Sequence, residues 1–101
     1  MNDLKHNLKF NYLYRDSGNY KQFGSIVFSN PNRLSERKVD SALRSLFIDS
    51  KYFVHTNFNI PSLFFENTNS EDHDWHEYES IIVTDENPTD NRTIEELIKR
   101  Y

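Results

Sequence analysis

Residues 8–15 read LKFNYLYR, and this stretch decides the fold. Successive side chains of a β-strand point to opposite faces of the sheet. One face would therefore hold Leu8, Phe10, Tyr12 and Tyr14, and the other Lys9, Asn11, Leu13 and Arg15. This alternation predicts a strand in a sheet that has one buried side.

The residues that follow predict a hairpin and then a helix. Residues 16–19 form a turn cluster, DSGN, and residues 20–29 read as a second strand, so the two strands make a β-hairpin. Ser35 is the expected N-cap of a helix. The apolar residues of this helix recur at the spacing i, i+3, i+4, and it is predicted to end near residues 49–50.

The second half of the chain predicts two more strands and a last helix. Residues 52–58 and 76–84 are rich in aromatic and β-branched side chains, which favour strands. Thr93 and Glu96 have the spacing of a capping box, and an apolar stripe follows it. The order ββαββα predicts one α+β domain over residues 1–101, an antiparallel sheet with two helices packed on one face. The stripe consists of Ile94, Leu97, Ile98 and Tyr101.

The composition narrows the class of protein. The 101 residues include no Cys, which excludes disulfides and thiolate metal sites. This absence and the lack of an apolar leader predict a cytoplasmic protein. No apolar run approaches the roughly 20 residues that span a bilayer, so no membrane contact is expected.

The charge is distributed unevenly along the chain. Residues 1–51 carry 9 Lys and Arg against 5 Asp and Glu, a net of +4, and residues 52–101 carry 3 against 11, a net of −8. If the halves segregate on the surface, one face is acidic. Such a face suits a basic protein partner and disfavours duplex nucleic acid, whose phosphates require Lys and Arg.

Four stretches together resemble a group of small bacterial proteins that share the pattern Tyr-Arg-Asp-x-x-Asn-Tyr-Lys. These are YRDSGNYK at residues 14–21, FGSIVFSNP at 23–31, IPSLFFE at 60–66 and DHDWHEYESI at 72–81. The resemblance would cover most of the chain. It implies a small stand-alone protein and carries no activity, substrate or catalytic residue.

The leading functional hypothesis is a non-enzymatic protein-interaction module that acts through an acidic face formed by the second half of the chain. Inhibitors, antitoxins, immunity proteins and phage counter-defence proteins are of this size and charge. Trp and Tyr dominate interface hot spots, so aromatic residues here are candidate anchors. The alternative is a solvated loop with the Trp folded onto the core. The predicted interaction residues are Glu71, Asp72, Asp74, Trp75 and Tyr78.

A second hypothesis is a small-ligand or nucleotide binder at the first turn. Arg15 and Lys21 would hold a phosphate or carboxylate, and Tyr20 would stack on a base. Turn chemistry alone also explains the Asp, Gly and Asn residues at this position.

A third hypothesis is a divalent-metal-dependent hydrolase or nuclease. His55, Asp74 and His76 would be the ligands, with Glu77 beside them, because imidazole and carboxylate groups bind such ions. No H-E-x-x-H motif, phosphate-binding Gly loop or nucleophile elbow is present, which disfavours an enzyme. No other cofactor is predicted. A homodimer through a free strand edge would hide that edge, and the sequence leaves this open.

Overall fold

The computed structural model of the chain describes residues 6–63 and 75–99. Four strands form one antiparallel sheet in the order β2-β1-β4-β3, accompanied by two helices. This confirms the predicted α+β class and order of elements. The elements are β1 (Asn7–Arg15), β2 (Lys21–Phe28), α1 (Glu36–Leu46), β3 (Tyr52–Val54), a 3-10 helix (His55–Phe58), β4 (Trp75–Thr84) and α2 (Ile94–Ile98).

One face of the sheet, the core face, lies under both helices. The four predicted core residues of β1 are at most 2% exposed. Three of them, Leu8, Phe10 and Tyr12, form one cluster with residues of the helices, Val39, Leu43, Ile94 and Leu97. The Phe10 ring lies at its centre, with its centroid 5.3 Å from that of Tyr78. Burying one such side chain contributes about 1.5–3 kcal/mol, so a few aromatic residues supply much of the folding free energy.

Both helices begin where their sequence signals predict. The Ser35 hydroxyl accepts a hydrogen bond from the Lys38 amide at 3.1 Å. At α2, Thr93 and Glu96 exchange both bonds of a capping box, 2.9 Å and 3.1 Å long. Each cap supplies a hydrogen-bond acceptor to amides of the first helical turn, which have no acceptor within the helix.

Helix α1 ends earlier than predicted, at Leu46. The cause is a tight reversal in which Asp49 and Ser50 both have positive φ, 53° and 60°. Ile48 and Tyr52 then exchange two backbone hydrogen bonds of 2.8 Å, so the chain turns directly into β3.

The third strand is shorter than predicted. It covers only Tyr52–Val54, and His55–Phe58 form a 3-10 helix. In a continuous strand Phe53 and Phe58, five residues apart, would point to opposite faces. The 3-10 helix instead brings both rings into the core, with centroids 5.9 Å apart.

Within the described residues, a loop covers one end of the opposite side of the sheet, the outer face. Lys9 bonds Glu86 at 2.8 Å, and Val27 exchanges backbone and side-chain bonds of 2.9 Å with Thr89. The loop after β4 thus covers the outer face near the start of β1. At the other end, near Arg15, the described residues form a cleft, and we call this the open end. Within the described ranges, no helix has the length and apolar character needed to cross a membrane.

Candidate functional site

The open end of the outer face carries a row of side chains that runs across all four strands. Phe23, Leu13, Glu77 and Tyr52 are successive register partners in this row. Three members of the row, Phe23, Leu13 and Glu77, line a cleft of about 450 Å³, which we call the outer cleft. This volume falls within the usual range for small-ligand sites. Four cationic side chains line it, Arg15, Lys21, Arg44 and Lys51.

Glu77 is a buried carboxylate on this face. Its side chain is 5% exposed and accepts hydrogen bonds from Arg15, at 2.8 Å from Nε and 3.2 Å from Nη2. The Lys51 ammonium lies 3.1 Å from Oε1 of Glu77, the oxygen that also accepts from Nη2 of Arg15. Burial alone would raise the pKa of Glu77, but the hydrogen bonds from the two cations outweigh it and lower the pKa.

Arg15 is held in place by more than the carboxylate. Its Nη1 donates to the side-chain oxygen of Asn19 at 2.8 Å, and the bonds to Glu77 raise its pKa. Three of its five N–H groups therefore already have protein acceptors. The guanidinium is a fixed wall of the outer cleft and not a mobile side chain.

Lys21 lies directly opposite Arg15 in the strand register. It is exposed, and no hydrogen bond or ion pair joins its side chain to any part of the described chain. Like charges that face each other across strands destabilise a sheet. Glu77 compensates Arg15, whereas the charge of Lys21 is left to solvent.

The first turn explains why Tyr20 lies in solvent. The Asp16 carboxylate accepts hydrogen bonds of 2.9 Å from the amides of Gly18 and Tyr20, which closes the turn. The Tyr20 side chain is 72% exposed. The three residues predicted to bind a ligand are thus brought to one end of the sheet, with Arg15 engaged by protein partners.

Tyr78, predicted as a surface anchor, is part of the core. It is 2% exposed, and its hydroxyl donates to Asp40 at 2.6 Å. The Arg44 guanidinium lies 4.9 Å from its ring centroid and bonds the same carboxylate. Burial, followed by the hydrogen bond to Asp40, raises its pKa above the ordinary value. Tyr78 therefore fixes α1 to β4 and is not available to a partner.

Trp75 is the one predicted interaction residue that the structure places on the surface. It is 43% exposed, and its ring centroid lies 5.9 Å from that of Tyr52. Both rings belong to the outer face. Trp75 lies two residues from Glu77 along β4 and so shares its face, and Tyr52 is the register partner of Glu77. Glu71, Asp72 and Asp74 lie outside the described residues, so the acidic version of the interaction surface stays a prediction.

The predicted metal ligands are only partly described. The rings of His55 and His76 lie close together, with centroids 5.1 Å apart. The Nε2 atom of His76 accepts a hydrogen bond from the Leu63 amide at 2.9 Å, which requires a neutral ring with that nitrogen unprotonated. Asp74 is outside the described residues. In the ranges 6–63 and 75–99 no group of three such side chains could hold a metal ion, so this site also stays a prediction.

The sequence prediction left a free strand edge open and named Lys21 for its side chain, but it did not identify the outward backbone groups of β2. Val27 directs its N–H and C=O away from β1, towards Thr89. The β1–β2 register runs without a bulge from residue 28 to residue 21, so Lys21, Phe23 and Ser25 also direct theirs outward. Within the described ranges, these outward backbone groups make no hydrogen bonds. We call residues 21–25 the open edge.

Comparison of the chain with protein-family models, with curated proteins and with solved structures found no match in any of the three.

Proposed function

We propose that the protein is a non-enzymatic binding module that receives an extended segment of a partner protein along the open edge of β2. The observation that carries the proposal is the set of outward N–H and C=O groups at Lys21, Phe23 and Ser25, which have no acceptors or donors in the described chain. Such an edge is a template for another strand, and strand addition is a recurrent mode of peptide recognition.

The rest of the sheet perimeter supports a special role for this stretch. Two residues further along the same edge, Val27 is bonded to Thr89 and Asp90. At the opposite edge of the sheet, the Tyr78 amide donates a hydrogen bond to the Lys51 carbonyl, and the Val83 amide donates one to the Glu36 carboxylate. Folded proteins usually cover or blunt their edges. Among the described residues, the loop after β4 covers one half of β2, and no backbone bond is made to the outward groups of the other half.

The side chains of the open edge have the character of an interface. Phe23 is 62% exposed and Tyr20 beside it is 72% exposed, the two largest exposures among the large apolar side chains described. A strand added at this edge would place alternate side chains against Phe23 on the outer face. Aromatic anchors of this kind contribute a large share of interface free energy. Lys21 and Arg15 favour acidic side chains in the incoming segment.

Inhibitors, antitoxins and immunity proteins act by occupying a partner, and the proposed role belongs to this class. The acidic face adds no support, because Glu71, Asp72 and Asp74 lie outside the described residues. Support comes from the open edge and its aromatic side chains. No catalytic group is required.

The test is to remove one outward N–H without touching the ladder between β1 and β2. Ser25→Pro does this, since proline is tolerated on an edge strand where the amide faces solvent. Ser25→Ala is the matched control that keeps the amide. A photo-cross-linking amino acid at position 23 would first identify the partner in cells that make the protein. Affinities would then be measured by calorimetry on the purified pair.

We expect Ser25→Pro to weaken binding by about tenfold or more, because one hydrogen bond is lost and the proline ring hinders pairing. Ser25→Ala should bind as the unmodified chain does, and both variants should keep the same circular dichroism spectrum. Equal affinity of the proline variant would contradict strand addition at this edge. A cross-link that forms equally with many unrelated proteins would contradict a specific partner.

A further inference from the structure

We infer that the outer cleft is a binding site for a nucleotide, a ligand that joins a phosphate group to a flat aromatic ring. This inference does not rest on the proposed function. It concerns the cleft above the sheet face, and the protein-binding proposal concerns the backbone edge beside it.

The charges of the outer cleft favour an anion. Four cations line it, and the carboxylates among its lining residues are Glu77 and Glu79. The chain as a whole has a net charge of −4, so a positive excess at one place contrasts with the rest of the molecule. A cleft lined by charges of one sign concentrates oppositely charged ligands.

Lys21 has no ion-pair partner among the described residues and is free to meet a phosphate, whereas Lys51 must exchange its contact with Glu77 to do so. Lys21 carries no ion pair within the described chain and lies opposite the fixed charge of Arg15. An anion between Lys21 and Arg15 would remove the repulsion that their placement creates. The Lys51 ammonium is bound to Glu77 at a single distance of 3.1 Å, and its side chain is 46% exposed. It can therefore turn towards a ligand.

Glu77 positions the cations and also competes with the ligand for them. Its two oxygens fix Arg15 and hold Lys51, so both cations are oriented before any anion arrives. The same carboxylate repels a phosphate. Glu77→Gln should therefore raise the affinity of the cleft for an anion. If Glu77 had only a structural role, the same substitution would not raise this affinity.

The apolar wall of the cleft suits the aromatic part of the ligand. Leu13 and Phe23 are register partners on the outer face, and the Phe23 ring is 62% exposed. Bases stack on exposed aromatic rings with little dependence on base identity. A ring on Phe23 and a phosphate at Lys21 use side chains two positions apart on one face of β2, about 7 Å along the strand.

The experiment measures binding of AMP to the full chain by calorimetry, with adenosine and inorganic phosphate as the two partial ligands. The variants are Lys21→Gln, Lys51→Gln and Phe23→Ala. Lys38→Gln is the matched control, because Lys38 lines the separate groove between α1 and α2. Circular dichroism confirms that each variant is folded.

We expect AMP to bind more tightly than either partial ligand. The affinity for AMP should fall about tenfold in each of Lys21→Gln and Lys51→Gln, and it should stay unchanged in Lys38→Gln. Phe23→Ala should weaken the binding of AMP and of adenosine but not that of inorganic phosphate. Glu77→Gln, if folded, should bind AMP more tightly.

Three results would overturn the inference. The first is no measurable AMP binding by the folded chain. The second is AMP binding that survives both lysine substitutions. The third is inorganic phosphate that binds as tightly as AMP, which would show an anion site without selection for the ring. None of these results bears on partner binding at the open edge, which Ser25→Pro tests separately.

Discussion

The two faces of β1 come from the same nine residues and have opposite roles. On the core face the side chains from Leu8 to Tyr14 are almost completely buried, and one aromatic cluster holds them. On the outer face the partners are charged and come from the two neighbouring strands, Glu77 from β4 and Lys21 from β2. The core face produces stability and the outer face leaves groups available for binding.

The largest expected effect is on the core face. Phe10→Ala removes the ring at the centre of the aromatic cluster and leaves a cavity, so it should lower the free energy of unfolding by about 3–5 kcal/mol. Denaturant unfolding measures this directly. A loss below about 1 kcal/mol would show that the cluster is loosely packed.

An intermediate effect is expected at the buried carboxylate of the outer face. Glu77→Gln removes the negative charge and one of the two oxygens that accept from Arg15 and Lys51, and it should cost about 1–3 kcal/mol at neutral pH. Both cations are partly in water, so solvent screening favours the lower end of this range. Chemical denaturation of the variant and the parent chain across pH measures the difference.

The sign of the pH dependence follows from the pKa of Glu77. Its folded pKa lies below its unfolded value, so the stabilisation is fully present above the unfolded value, about 4.3. It is lost as pH falls through the folded value. The gap between the parent chain and Glu77→Gln should therefore be largest near neutrality and close in acid. A gap that is independent of pH would contradict the ion pair as its cause.

The smallest effect is expected for a Phe→Ala substitution on the outer face, the same change as Phe10→Ala on the core face. Phe23→Ala should change the free energy of unfolding by no more than about 0.5 kcal/mol, because the ring is 62% exposed. Paired with Phe10→Ala, it separates the two faces by one substitution. Equal losses would mean that Phe23 is covered in solution.

Local signals predicted most of the fold. The alternation in residues 8–15 fixed the buried side of β1, and the caps at Ser35 and Thr93 are where the sequence places them. The prediction failed where a tertiary contact decides. Residues 52–58 have the composition of a strand, yet Phe53 and Phe58 both reach the core only through a 3-10 helix.

The candidate site was less predictable for a physical reason. Arg15, Tyr20 and Lys21 were found from the sequence because they lie in one turn. Glu77 and Lys51 join them only through strand pairing at long range. Tyr78 was predicted as an anchor from its polar neighbours, and the bulge opposite residues 11 and 12 and the contact with Asp40 place it in the core.

Backbone hydrogen exchange of β2 measures whether the outward amides of the open edge are unpaired in the isolated chain. Amides that point to β1, those of Gln22, Gly24 and Ile26, should exchange slowly, and so should that of Val27, which bonds Thr89. The amides of Phe23 and Ser25 should exchange rapidly in the isolated chain. Slow exchange of these two amides in the isolated chain, equal to that of Gly24, would show that the edge is already occupied and would contradict the account.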